Sequence, residues 1–172
     1  DVWVSGLIGV AAVGLLIQDG SLKFSDEHEK DFLIRLHKPD PRVELGQKLV
    51  GIANSAIDIS DGLVADAKHV ADSSGVQFLI DFESIPTHRA LNLSRKDQII
   101  KNSILGGGDD YELLFTANTN AKEQIDNIAR ELDLRLTRIG TVRTGSGVVV
   151  RDDGKELSIG FQRGFDHFEK RK

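Results

Sequence analysis

The sequence predicts an α/β (α+β) sandwich, a mixed sheet with flanking helices. Three observations predict it. Short apolar segments such as Val2-Trp3-Val4 and Val148-Val149-Val150 alternate with amphipathic stretches such as Leu63 to Ala71. Such alternation marks a sheet covered by helices. Asp152-Asp153-Gly154 stands between two apolar runs and reads as a hairpin turn. The 172 residues fit one domain and show no repeat, low-complexity tract or clear linker.

In order, Val2 to Gly6 reads as a strand. Gly9 to Ile17 reads as a tightly packed helix, because Ala11, Ala12 and Gly14 allow close approach. Asp26-x-x-Glu29 has helix-start spacing, and Phe32, Leu33 and Leu36 supply an apolar face. Pro39 and Pro41 stop that helix, and another is expected from Val43 to Ala53. Ala56 to Ile59 is a short strand, followed by a helix from Gly62 to Ser73. Val76 to Phe82 is a strand, and Lys96 to Leu105 a helix that ends in Gly106-Gly107-Gly108. Glu112 to Ala117 is a strand, Ala121 to Leu132 a helix and Leu136 to Val142 a strand. Val148 to Val150 and Leu157 to Ile159 flank the hairpin turn.

Composition excludes several function classes. There is no cysteine, which removes disulfides, thiolate metal sites and a cysteine nucleophile. The net charge is −5, and the basic residues are scattered rather than striped, so no nucleic-acid partner is expected. No apolar run reaches the length of a membrane span. Asp1 opens without the basic segment of a secretory signal, so a cytoplasmic location is the simplest expectation. Methionine is absent too. Either processing or a missing preceding segment accounts for that.

Three segments are candidates to carry chemistry. In Asp58-Ile59-Ser60-Asp61-Gly62, strand alternation is expected to put Asp58 and Ser60 on one side, with Asp61 at the strand-to-helix turn. Ligands favour that place in open α/β sheets. Hard cations such as Mg²⁺ take oxygen ligands, often one or two carboxylates plus substrate phosphates. Ser60 and Asp61 equally suit a helix cap. Asp58 fits that plain role less well, since it lies within an apolar strand where an unpaired charge is costly to bury. In Gly106-Gly107-Gly108-Asp109-Asp110-Tyr111-Glu112, the glycines let backbone approach a ligand, or simply end a helix. Gly164-Phe165-Asp166-His167-Phe168 places an aromatic ring behind a glycine, where it could stack on a flat ring or pin the terminus. No phosphate loop, dinucleotide fingerprint or serine-hydrolase elbow is present, and the five histidines lack zinc spacing.

Taken in order, five stretches resemble the thiamine-monophosphate kinases. They are Val4-Ser5-Gly6-x-x-Gly9-x-Ala11-Ala12-x-Gly14-Leu15, Pro39-x-Pro41-Arg42, Ala56 to Leu63, Gly106 to Leu113 and Gly164 to Phe168. The resemblance runs over nearly the whole chain. It implies a fold like the C-terminal domain of aminoimidazole ribonucleotide synthase, whose superfamily also includes selenophosphate synthetase. It implies that residues 1–172 are the C-terminal domain of a two-domain ATP-dependent kinase, with the N-terminal ATP- and metal-binding domain absent. It implies Mg²⁺ and ATP, with Asp58 and Asp61 as metal ligands, Ser60 at the nucleotide, and Asp109 and Phe165 at the substrate. Asp109 stands where the family usually has glutamate, and Val10 where it commonly has aspartate.

The implied reaction is in-line phosphoryl transfer from ATP to thiamine monophosphate, giving thiamine diphosphate. The acceptor phosphate is already ionised, so charge neutralisation matters more than a general base. The isolated chain is expected to be inactive. Implied partners are the two substrates and the absent domain, and a homodimer stays open. Two rival readings are another kinase or synthetase of the same superfamily, and a non-catalytic ligand-binding module.

Overall fold

Val2-Trp3-Val4-Ser5 has no polar face because its strand is covered on both sides. In the computed structural model, which describes residues 1–157, all four residues are buried. In chain order the elements are β1 (Val2–Ser5), α1 (Val10–Gln18), α2 (Asp26–His37), α3 (Val43–Lys48), β2 (Ala53–Asp58), α4 (Leu63–Ser74) and β3 (Gln77–Asp81). There follow α5 (Gln98–Gly106), β4 (Leu113–Ala117), α6 (Lys122–Glu131), β5 (Leu136–Arg143), β6 (Gly147–Asp152) and β7 (Lys155–Glu156).

Among the described residues the sheet is seven-stranded, in the order β2-β4-β1-β5-β3-β6-β7. β3 and β6 run parallel and the other neighbours antiparallel, so the sheet is mixed as expected. Strand alternation sends Val2, Val4 and Leu114 to one face, where Val13 of α1, Phe32 of α2, Leu63 and Ala67 of α4 and Ile104 of α5 complete the larger core. Trp3 and Phe115 point the other way and stack with ring centroids 6.3 Å apart. Leu45 of α3 and Ile125 of α6 close that second core. Each buried aliphatic side chain contributes roughly 1.5–3 kcal/mol to the hydrophobic term.

Two helix crossings depend on glycine. A Cβ on Gly9 would meet Ile104 Cα at 2.8 Å, and one on Gly14 would meet the Phe32 carbonyl oxygen at 2.7 Å. The small-residue reading of α1 is therefore borne out: it lets α2 and α5 pack close.

Some boundaries differ from expectation. α3 stops at Lys48, because Gly51 turns the chain at φ +80° and Ala53 already pairs with Ala117. β2 consequently starts at Ala53 rather than Ala56. Short 3-10 turns at Phe82–Ser84, Arg89–Leu91 and Thr119–Ala121 were not foreshadowed by any periodicity. Gly164 to Phe168, and Phe165 with them, lie outside the described residues.

The ladder fixes where a site can form. Asp58 pairs with Leu113, Val4 with Leu114 and Ser5 with Leu136. The ends of β1 and β2 and the starts of β4 and β5 thus lie at one end of the sheet. The loops at 6–9, 59–62 and 107–112 all emerge there.

Candidate active site

Beyond Asp58 the chain leaves the strand and turns into α4. Gly62 takes φ +119°, and a Cβ there would meet the Gly106 carbonyl at 2.8 Å. That position is closed to any larger residue. The turn is held from within by Asp66, in the first turn of α4. Its Oδ2 accepts the backbone N–H groups of Ser60, Asp61 and Gly62 at 3.0, 3.0 and 3.1 Å. Burial raises the Asp66 carboxyl above its ordinary range and the nearby Asp61 charge adds to that, while the three N–H donors oppose it.

The glycine-rich segment lies against this turn and extends the β2–β4 pairing. Asp109 N–H donates to the Ser60 carbonyl at 3.0 Å, Tyr111 N–H to the Ile59 carbonyl at 2.9 Å, and Ile59 N–H to the Glu112 carbonyl at 2.8 Å. Gly108 is needed for that contact, since a Cβ would sit 2.3 Å from the Ser60 carbonyl oxygen. Asp109 and Tyr111 take φ of +66° and +51°, a left-handed conformation that side chains adopt at a cost. Strain of about 1–3 kcal/mol at such positions is typical of ligand-binding loops.

Two further acids brace the segment. Asp110 is half-buried, with its carboxylate against the N-terminus of α1, accepting from Gly9 N at 2.6 Å and Ala11 N at 3.0 Å. Burial pushes that carboxyl up to about 7, against the pull of the same N–H donors. Glu112 is buried and accepts from Arg42 Nε and Nη2, both at 2.7 Å, and from Ser5 Oγ at 2.5 Å. Gly6, at φ +59°, leaves the space that this carboxylate fills: a Cβ there would fall 1.9 Å from Glu112 Oε1. Arg42 thereby ties the Pro39-x-Pro41 stretch to the glycine-rich segment.

The result is an open cleft of about 560 Å³ between α1, α5 and the two loops. Ser60, Asp61, Asp109 and Tyr111 line its polar side, and Leu15, Leu16, Leu36 and Ile99 its apolar side. Among the described residues, its lining carries two carboxylates and no basic side chain. Such a surface repels a bare phosphate and attracts a hard cation.

A profile for the family described as AIR synthase related protein, C-terminal domain, matches residues 2–153. The chain belongs to that family. It is also similar to thiamine-monophosphate kinase of Haemophilus influenzae, 35% identical over 99% of this chain and 53% of the relative. Among solved structures, thiamine-monophosphate kinase from Stenotrophomonas maltophilia K279a is 40% identical, with a TM-score of 0.81 over 91% of this chain and 51% of its own. AaThiL complexed with AMPPCP and TMP is 35% identical, with a TM-score of 0.77 over 97% of this chain and 50% of its own. The chain spans about half the length of the relatives it matches.

In this AIR synthase related domain, Ser60, Asp61 and Asp109 line one cleft. Asp58 needs a correction. It is exposed at the end of edge strand β2, not enclosed in an apolar strand. The alternation there puts Ala53, Ser55 and Ile57 inward and leaves Asp58 outside. It does not line the cleft, although its charge joins the larger effect of Asp109 in raising the Tyr111 phenol. Ser60 lies beyond the last strand residue, so strand alternation does not relate it to Asp58. Val10, where the family commonly has aspartate, is a core residue at the start of α1.

Sequence reasoning missed Asp66. Its signal was an acid at the fourth position after Gly62, inside the apolar stripe of Leu63, Val64 and Ala67. His28, Asp31 and His88 form another cluster, with ligand atoms within 4.8 Å of one another. There, His88 Nδ1 accepts Ala90 N–H at 3.3 Å and its Nε2 faces Asp31 at 3.4 Å, which joins α2 to the 3-10 turn. No helix among the described residues is long and apolar enough to cross a membrane.

Proposed function

We propose that this chain is the C-terminal part of a two-domain kinase that transfers a phosphoryl group from ATP to thiamine monophosphate. One observation carries the reading: Ser60, Asp61 and Asp109 converge on a cleft with no basic lining among the described residues, in a chain similar to thiamine-monophosphate kinases over nearly all its length. AMPPCP is an ATP analogue, so the AaThiL complex supports the same pair of substrates.

Asp58 and Asp61 would hold Mg²⁺. Both offer carboxylate oxygens, which is the donor chemistry that ion prefers. When bound, the ion supplies the positive charge that lets two phosphates approach. Ser60 would meet the nucleotide. Asp109 and Phe165 would contact thiamine monophosphate. An oxygen of its phosphate attacks the γ-phosphorus of ATP as the bond to the bridging oxygen breaks, and ADP leaves. The attacking oxygen carries no proton to remove, so the residues here position and neutralise rather than act as bases.

Phe165 would stack on the cationic thiazolium, a contact of ~0.5–2 kcal/mol. Phe165→Ala is therefore expected to weaken thiamine monophosphate binding by roughly 3- to 30-fold and to leave ATP affinity unchanged. Equal weakening of both ligands would assign Phe165 to packing instead.

The preceding domain would complete the cation and nucleotide site, so the chain alone is expected not to turn over. Calorimetry on the full-length protein tests the reading. ATP and thiamine monophosphate should both bind, each more tightly with Mg²⁺. Binding of ATP without thiamine monophosphate would favour another member of the superfamily.

A further inference from the structure

The turn that carries Ser60 and Asp61 is built around an acid with no assigned role. Asp66 is 2% exposed, in the apolar stripe of α4. A buried carboxylate is tolerated only where hydrogen bonds satisfy it. Here a single oxygen, Oδ2, takes three consecutive backbone N–H groups, from Ser60, Asp61 and Gly62. Free N–H groups at a helix start can receive a capping side chain, water or an external anion such as phosphate. In this chain that place is filled by a carboxylate of the same helix.

Two consequences follow from the geometry. The donors of the turn are already used, so the turn does not grip a phosphate by its backbone. What it offers the cleft is the side chains of Ser60 and Asp61. Their direction is set by a backbone anchored at three successive residues, and Gly62 against Gly106 blocks relaxation on the other side.

We propose that Asp66 is a positioning residue that holds the Ser60–Gly62 turn in the shape that aims Asp61 into the cleft, and so sets the affinity of the site for a divalent cation. This rests on the reading of Asp61 as a cation ligand. Groups that orient a metal ligand typically change metal affinity by about 10- to 100-fold when removed.

Backbone NMR of the full-length protein gives two readouts from one sample. One is hydrogen exchange at the amides of Ser60, Asp61 and Gly62. The other is paramagnetic broadening around the cleft during a Mn²⁺ titration. Asp66→Ala is expected to speed exchange at the three amides roughly 10-fold or more. It should also raise the Mn²⁺ concentration for half-maximal broadening by about 10- to 100-fold. Asp66→Asn keeps an oxygen acceptor and the side-chain shape; it should recover part of both effects and stay folded if the alanine variant does not. Asp61→Asn should abolish the broadening with exchange unchanged. Faster exchange with unaltered Mn²⁺ affinity in both Asp66 variants would make Asp66 merely structural and overturn the proposal. Undiminished broadening in Asp61→Asn, or none in the unaltered full-length protein, would remove the cation reading of Asp61 and the proposal with it.

Discussion

Replacing Arg42 by methionine leaves Glu112 buried without its charge partner. Glu112 is 3% exposed, and Arg42 gives it two hydrogen bonds of 2.7 Å. After Arg42→Met only Ser5 Oγ remains, at 2.5 Å. Removing one member of a buried ion pair costs about 3–5 kcal/mol, chiefly through the stranded charge. Asp40, the other partner of Arg42, has a side chain 67% exposed, so its loss adds little. In a domain of this size each kcal/mol shifts Tm by roughly 2–4 °C. The expected fall is therefore on the order of 6–20 °C, read by circular dichroism and checked by urea unfolding. The double variant Arg42→Met/Glu112→Met should be more stable than Arg42→Met alone, because no charge is then left unpaired. A single variant within about 0.5 kcal/mol of the parent would refute the reasoning, as would a double variant less stable than the single.

Gly108→Ala should cost about 1–3 kcal/mol in urea unfolding, because its Cβ would stand 2.3 Å from the Ser60 carbonyl oxygen. Unchanged stability would mean the two loops do not touch there. For Asp110 the sign follows from a folded pKa of about 7 against an ordinary 3.8. A raised pKa gives stability that is complete below about pH 4 and is lost as pH rises through about 7. Asp110→Asn cannot lose it, so the Tm of the parent minus that of the variant should fall across this range. A difference that stays flat would mean that Asp110 is ionised throughout.

The layered fold was legible because burial writes periodicity into the chain. Val2, Val4 and Leu114 alternate toward one core, and Trp3 and Phe115 toward the other. α3 was drawn too long because its apolar residues continue past Lys48, while Gly51 stops the helix by backbone conformation. Ser60, Asp61 and Asp109 stand out in two separate sequence motifs, which the fold brings to one cleft. The braces behind them could not. Asp66 acts on its neighbours through N–H groups, which no side-chain pattern records. Glu112 meets Ser5 and Arg42 only after β1 and β4 pair and the Pro39-x-Pro41 stretch folds back. Asp58 was misjudged for a related reason: its exposure follows from β2 being an edge strand, a fact of sheet order rather than of local sequence.

The central claim is that Asp61 in this cleft holds the cation required for phosphoryl transfer. It is tested most directly by thiamine diphosphate formation from ATP and thiamine monophosphate, as a function of Mg²⁺, in the full-length protein and its Asp61→Asn variant. The account predicts product only with Mg²⁺, and a variant rate lower by ~10²-fold or more. Its melting temperature should stay near that of the parent, since asparagine is also tolerated at a helix start. A variant with parental rate and parental Mg²⁺ dependence would contradict the account.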